Sequence, residues 1–149
     1  MRWKANVTVA AVIEKDGKFL MIEEQADDAL VINQPAGHLE EHESLMEAVK
    51  REVREETAWD FEASHIVGVY LYPSSNNGIT YLRICYAGSA VNHHPQQALD
   101  EGIIRALWLD RDELESCHDK LRSPLVMQCI DDYLSGKHYP LELISHFQD

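Results

Sequence analysis

Glu52, Glu55 and Glu56 lie in a run of good helix formers from Leu45 to Thr57, opened by Ser44-Leu45-Met46-Glu47 with the spacing of a capping box. On a helix that advances about 100° per residue, the three carboxylates share one arc of about 100°. Leu45, Met46, Val49 and Val53 occupy the adjoining arc, which puts Glu56 at the edge of the buried face. Lys50, Arg51 and Arg54 project to the other side, although Arg51 stands four residues before Glu55 and can pair with it. Like charges at this spacing repel one another, and partial burial sharpens the repulsion. A hard divalent cation answers it, because Mg²⁺ and Mn²⁺ prefer carboxylate oxygens and leave places for water and phosphate. Between residues 40 and 62 there are nine acidic and three basic side chains, so an anionic substrate needs such a cation to approach. The chemistry expected is metal-assisted attack on phosphate. The competing reading is a plain solvated glutamate face.

The pattern is longer than the helix. Gly37, Glu43 and then Arg51-Glu52-Val53-Arg54-Glu55-Glu56 resemble the Nudix box, G-x5-E-x7-R-E-U-x-E-E-x-G-U with U apolar. Every fixed charged position and the first glycine agree, while Ala58 stands where the family has its second glycine, followed by Trp59. A glycine past a helix end usually serves a left-handed turn, so Ala58 bears on that turn and not on the acidic ligands. The resemblance implies an α+β fold, an α/β/α sandwich around a central mixed sheet, in a single domain over residues 1–149. It also implies hydrolysis of a phosphoanhydride. Carried over residue by residue, the metal ligands would be Glu52, Glu55, Glu56 and the Gly37 carbonyl, with Glu101 a candidate from a later loop beside Asp100. The catalytic set would be Glu52, as candidate base, with Glu43, Glu55 and Arg51. The cofactor implied is Mg²⁺, with Mn²⁺ as a possible substitute.

Shorter stretches narrow the expectation. Gln34-Pro35-Ala36-Gly37-His38-Leu39-Glu40, Phe19-Leu20, Leu82-Arg83 and Leu121-Arg122-Ser123-Pro124-Leu125-Val126 are similar to a bacterial phosphatase branch of the family. That branch acts on nucleoside di- and triphosphates and on organic pyrophosphates such as hydroxymethylpyrimidine pyrophosphate or thiamine pyrophosphate. Arg83 alternates with Leu82 and Ile84, making it a surface arginine or a phosphate clamp. Arg122, just before a helix start, could reach phosphate or only steady chain ends. Tyr70, Tyr72, Tyr81 and Trp108 could stack a ring or fill the core. Two other functions stand beside phosphate release: cleavage of nucleoside-diphosphate sugars or dinucleotides between two substituted phosphates, and a non-catalytic binding module of the same fold.

These groups have to be held by something. Val7–Ile13 and Lys18–Ile22 predict paired strands across Asp16-Gly17, a strong hairpin signal. Leu30–Ile32 leads into a loop at Asn33–Gly37, where proline and glycine stop regular structure. Ile66–Tyr72 and Thr80–Tyr86 predict a second hairpin, and Val91–Gly102 a long loop. A short strand at Arg105–Leu109 and a helix near Asp110–Cys117 precede a last helix. That helix starts at Ser123-Pro124, carries Leu125, Cys129, Ile130 and Leu134 on one stripe, and ends at Gly136.

With 149 residues, 45% of them hydrophobic, the chain suffices for one folded core. A net charge of −13 argues against a nucleic-acid binder or an anionic membrane surface. Cys85, Cys117 and Cys129 form no disulfide or zinc pattern, and neither a leader nor a run of apolar residues long enough to cross a membrane stands out. The expectation is a cytoplasmic monomer or homodimer acting on a small-molecule diphosphate or triphosphate.

Overall fold

A computed structural model of the chain describes residues 1–148. Strand β1 (Asn6–Lys15) runs through the centre, with Val9–Ile13 almost wholly buried. It turns through Asp16 and Gly17, both at positive φ (52° and 79°), into β2 (Lys18–Ala26). Those angles give the two-residue hairpin turn that matches strand twist. β2 pairs with β3 (Ala29–Asn33) on one side and with β7 (Ile103–Leu109) on the other, both antiparallel. β1 pairs in parallel with β6 (Thr80–His93), whose other neighbour is antiparallel β5 (Trp59–Pro73). The sheet is therefore mixed.

The expected loop at Asn33–Gly37 is partly a strand. β4 (Ala36–His38) pairs antiparallel with β1, Gly37 opposite Val9 and Ala36 opposite Ala10. Pro35 lies just outside it and needs no donor there; its carbonyl accepts from the Ala11 N–H at 3.0 Å. β5 and β6 are also longer than the sequence pattern predicts. Register shifts at Trp59/Asp60, Ala63/His65 and Ile66/Gly68 break the alternation of apolar and polar residues that marks a strand.

Helix α1 (Leu45–Thr57) begins with the expected capping box: Ser44 Oγ accepts from Glu47 N at 3.0 Å and Glu47 Oε1 from Ser44 N at 2.9 Å. Its buried residues Ala48, Val49 and Val53 pack on one face of the sheet against Val9, Ala11, Ile84 and Tyr86. Each large side chain buried this way is worth roughly 1.5–3 kcal/mol. The other face is covered by α2 (Arg111–Ser116) and α3 (Pro124–Leu134), which enclose Ala10, Val12, Phe19 and Cys85. The core stripe of α3 is centred on Val126, Cys129 and Ile130; Leu134 is largely exposed and Leu125 faces a cleft instead. Helices on both faces of the sheet give the expected sandwich.

Ala58 keeps the left-handed turn (φ 61°, ψ 23°), and its N–H closes α1 onto the Arg54 carbonyl at 3.0 Å. An alanine here carries a steric penalty of about 1–2 kcal/mol that glycine avoids. Its methyl group is buried, 3% exposed, which offsets roughly 0.8 kcal/mol of that.

Candidate active site

α1 presents its acidic edge to β4, and Arg51 organises it. The guanidinium grips Glu43 with two hydrogen bonds (Nε to Oε2 2.6 Å, Nη2 to Oε1 3.0 Å). Nη1 donates to Glu52 Oε1 at 2.7 Å and Glu55 Oε1 at 2.8 Å, and Nη2 also to the His38 carbonyl at 3.0 Å. Helical angles alone place Arg51 away from the carboxylates, but its long side chain reaches back around the helix. The Arg51 hydrogen bonds hold the Glu43 carboxyl below its usual range. For Glu52, burial outweighs Arg51 and pushes its pKa up.

Glu56 is only 7% exposed and accepts from the Ala36 N–H at 2.9 Å. Burial, reinforced by the charges of Glu52, Glu24 and Asp100, pushes it up to about 9. At neutral pH its carboxyl holds a proton unless positive charge arrives. An all-oxygen donor set of this kind suits a hard divalent cation. Among the described residues no three Asp, Glu, His or Cys side chains converge on one point.

Gly37 is fixed by the same neighbourhood. A Cβ there would lie 2.2 Å from Glu52 Cδ and Oε1. Gly37→Ala should therefore displace a flexible carboxylate and spare the backbone. Misplacement by about 1 Å is worth on the order of 100-fold in rate, so kcat/KM should fall by about that much while the thermal midpoint moves little. A variant with wild-type kcat/KM would show that the position of Glu52 is immaterial.

Ala36 and Gly37 also form part of the wall of a cleft of about 640 Å³. Arg83, Arg122, Tyr72 and Tyr81 line it; Tyr70, by contrast, hydrogen-bonds Asp132 at 2.7 Å, and Trp108 packs edge-on against Trp59. Arg83 is not on the surface. It is 7% exposed because β6 lies between β1 and β5, and its Nη1 donates to Gln34 Oε1 at 2.7 Å. Arg122 donates to Glu24 Oε1 at 2.5 Å, linking the cleft to the acidic site.

Glu101 sits exposed in the loop before Gly102. The loop carboxylate whose charge reaches Glu52 and Glu56 is Asp100, tied to α1 by its N–H to the Glu55 carbonyl at 2.9 Å. Sequence reasoning also missed Glu24 and Asn33. Both lie beyond the apolar cores of their strands, and only the pairing of β2 with β3 turns them toward the cleft. Gln34 is wholly buried; it enters the sequence reading only as the first residue of the Gln34–Glu40 stretch, with nothing there to point to its contact with Arg83.

The NUDIX domain profile matches residues 3–129. The Escherichia coli K12 protein called phosphatase NudJ is 38% identical over 145 residues, covering 97% of this chain and 94% of that one. A solved NUDIX hydrolase from Nitrosomonas europaea superposes with a TM-score of 0.95 at 48% identity, covering 97% of this chain and 98% of its own. The NUDIX domain of Shewanella oneidensis NrtR, solved with ADP ribose, shares the fold at a TM-score of 0.69 and 19% identity, over 90% of this chain and 89% of that one. No helix among the described residues is long and apolar enough to cross a membrane.

Proposed function

The chain belongs to the NUDIX hydrolase family, and from that premise we propose that it releases phosphate from a nucleoside di- or triphosphate or a related organic pyrophosphate. The observation that carries this reading is the row of carboxylates on one edge of α1, with Glu43, Glu52 and Glu55 held by Arg51 and Glu56 held by the Ala36 N–H, beside the cleft wall at Ala36 and Gly37. The 38% identity to a protein named phosphatase supports phosphate release over cleavage between two substituted phosphates.

Glu52, Glu55 and Glu56, with the Gly37 carbonyl, would hold Mg²⁺, or Mn²⁺ in its place, and Asp100 is better placed than Glu101 to add a carboxylate. When bound, the cation supplies a lowered pKa for water and neutralises phosphate charge. Glu52 takes the proton from the attacking water, its carboxylate held in place by Arg51 Nη1 donating to Oε1 at 2.7 Å. Arg51 positions Glu52, Glu55 and Glu43 and is not itself required to touch substrate. Arg122 and Arg83 offer positive charge along the cleft to an otherwise repelled anion.

A panel of nucleoside di- and triphosphates, organic pyrophosphates and nucleotide sugars, incubated with Mg²⁺ and analysed for products, tests the proposal. Orthophosphate should appear from a terminal diphosphate and stop on addition of EDTA. Nucleotide-sugar cleavage as the dominant reaction, or binding without turnover, would overturn it.

A further inference from the structure

Among the described residues the cleft wall carries two permanent cations, Arg83 and Arg122, against three carboxylates, Glu24, Asp27 and Asp28. The two arginines are not equally free. Arg83 is buried with its Nη1 committed to Gln34, so it contributes charge without reaching outward. Arg122 has a side chain 48% exposed on a backbone fixed to β3, its N–H donating to the Ile32 carbonyl at 2.8 Å. It is the cation that can meet an anion in the cleft, and it is already taken: Nη1 donates to Glu24 Oε1 at 2.5 Å. Glu24 is the fixed partner of the two. Its side chain is only 14% exposed, and the same oxygen accepts from Asn33 Nδ2 at 3.4 Å across the β2–β3 pairing.

A carboxylate in this place repels the anion that the cleft has to hold, and an ion pair with one half-exposed partner adds little to stability. What the pair does is occupy Arg122. We propose that Glu24 is a positioning residue that acts as an internal competitor: a substrate phosphate binds by displacing the Glu24 carboxylate from the Arg122 guanidinium, and Glu24 takes the guanidinium back as product phosphate leaves. The exchange puts one anion in place of another on the same donors, since phosphate offers the acceptor oxygens that the carboxylate gives up. Because Glu24 is tethered beside Arg122, it lowers the apparent affinity for any phosphate by the fraction of time that Arg122 is free. Substrate and product phosphate are weakened alike, which raises KM and hastens product release without weakening the transition state relative to bound substrate. The assignment rests on the cleft being the phosphate site of the hydrolase proposed above.

The test measures dissociation constants for inorganic phosphate by calorimetry in EDTA, on wild type, Glu24→Gln, Arg122→Gln and the double variant. Glutamine keeps the shape of Glu24 and an oxygen for Asn33 and Arg122, and drops only the charge. Charge-assisted hydrogen bonds are roughly twice as strong as neutral ones, and water screens the exposed guanidinium, so Glu24→Gln should bind phosphate about five- to tenfold more tightly. In the Arg122→Gln background the same substitution should change the constant by less than about twofold, because a charge that acts through Arg122 has nothing left to act on. No gain in Glu24→Gln would overturn the proposal. So would a gain that survives in the Arg122→Gln background, which would show Glu24 repelling anions across the cleft on its own. Wild type gives a second reading that needs no variant to fold: in crystals soaked with inorganic phosphate, Arg122 on phosphate and off Glu24 supports the exchange, and Arg122 still on Glu24 overturns it. Tighter phosphate binding by Glu24→Gln, with no phosphate release from any compound of the panel, would defeat the hydrolase reading and leave the exchange standing; release with unchanged phosphate binding does the reverse.

Discussion

Glu56→Gln should abolish turnover and leave the fold intact, even strengthened. The glutamine can keep the contact that fixes this side chain, since its own Oε1 can accept from the Ala36 N–H at the same 2.9 Å. What it cannot do is ionise, so it offers a divalent cation a weak neutral oxygen in place of a carboxylate. Charge stabilisation by such a cation is worth several kcal/mol, and a loss of about 4 kcal/mol lowers kcat roughly 10³-fold. The effect on stability has the opposite sign. Burial raises the folded pKa of Glu56 from 4.5 to about 9. The folded state therefore binds its proton more tightly than the unfolded chain, and stability present below pH 4.5 is lost progressively as pH rises toward 9. At pH 7 in EDTA the wild type has lost up to about 3 kcal/mol this way, a penalty that glutamine escapes. Urea unfolding between pH 5 and 9 should give wild type a falling curve and the variant a flatter one. Retained turnover would remove Glu56 from the site, and a less stable variant would show that the carboxylate is favourably buried.

Much of this site was legible because it is local. The capping box, the 3.6-residue period of α1 and the spacing from Gly37 to Glu56 all act within about twenty residues, where helix geometry turns sequence distance into spatial distance. What stayed hidden depends on pairing between distant segments. Glu24 and Asn33 come together only through the β2–β3 register, and Arg83 is buried only because β6 runs between β1 and β5. β4 was hidden for a related reason: Pro35 and Gly37 are poor strand residues, yet Gly37 is required where the Glu52 carboxylate crosses close to the backbone. The reach of Arg51 is a third kind of case. Position on a helical wheel describes Cβ directions, and a guanidinium several bonds further out need not obey it.

Arg51→Ala should be the most destabilising single change on the acidic edge. Its guanidinium bonds Glu43, Glu52, Glu55 and the His38 carbonyl, and the Glu43 and Glu52 side chains are each only 12% exposed. Without it two largely buried carboxylates lose their shared counter-charge, and removing one partner from a buried ion pair typically costs about 3–5 kcal/mol. Arg51 is itself 22% exposed, so water can relieve part of the loss and a value of about 2–3 kcal/mol is expected. Lysine should restore little of it, because a single ammonium cannot reproduce the two-point grip on Glu43 while also reaching Glu52 and Glu55. Turnover at a temperature where the variant remains folded should drop about 100-fold through misplaced carboxylates. Charge frustration, as opposed to lost packing, has its own signature: adding Glu43→Gln removes one of the abandoned charges, so the double variant should be more stable than the sum of the two single changes predicts. Simple additivity in urea unfolding would mean that Arg51 serves the helix by packing alone, and that the order of the acidic edge comes from somewhere else.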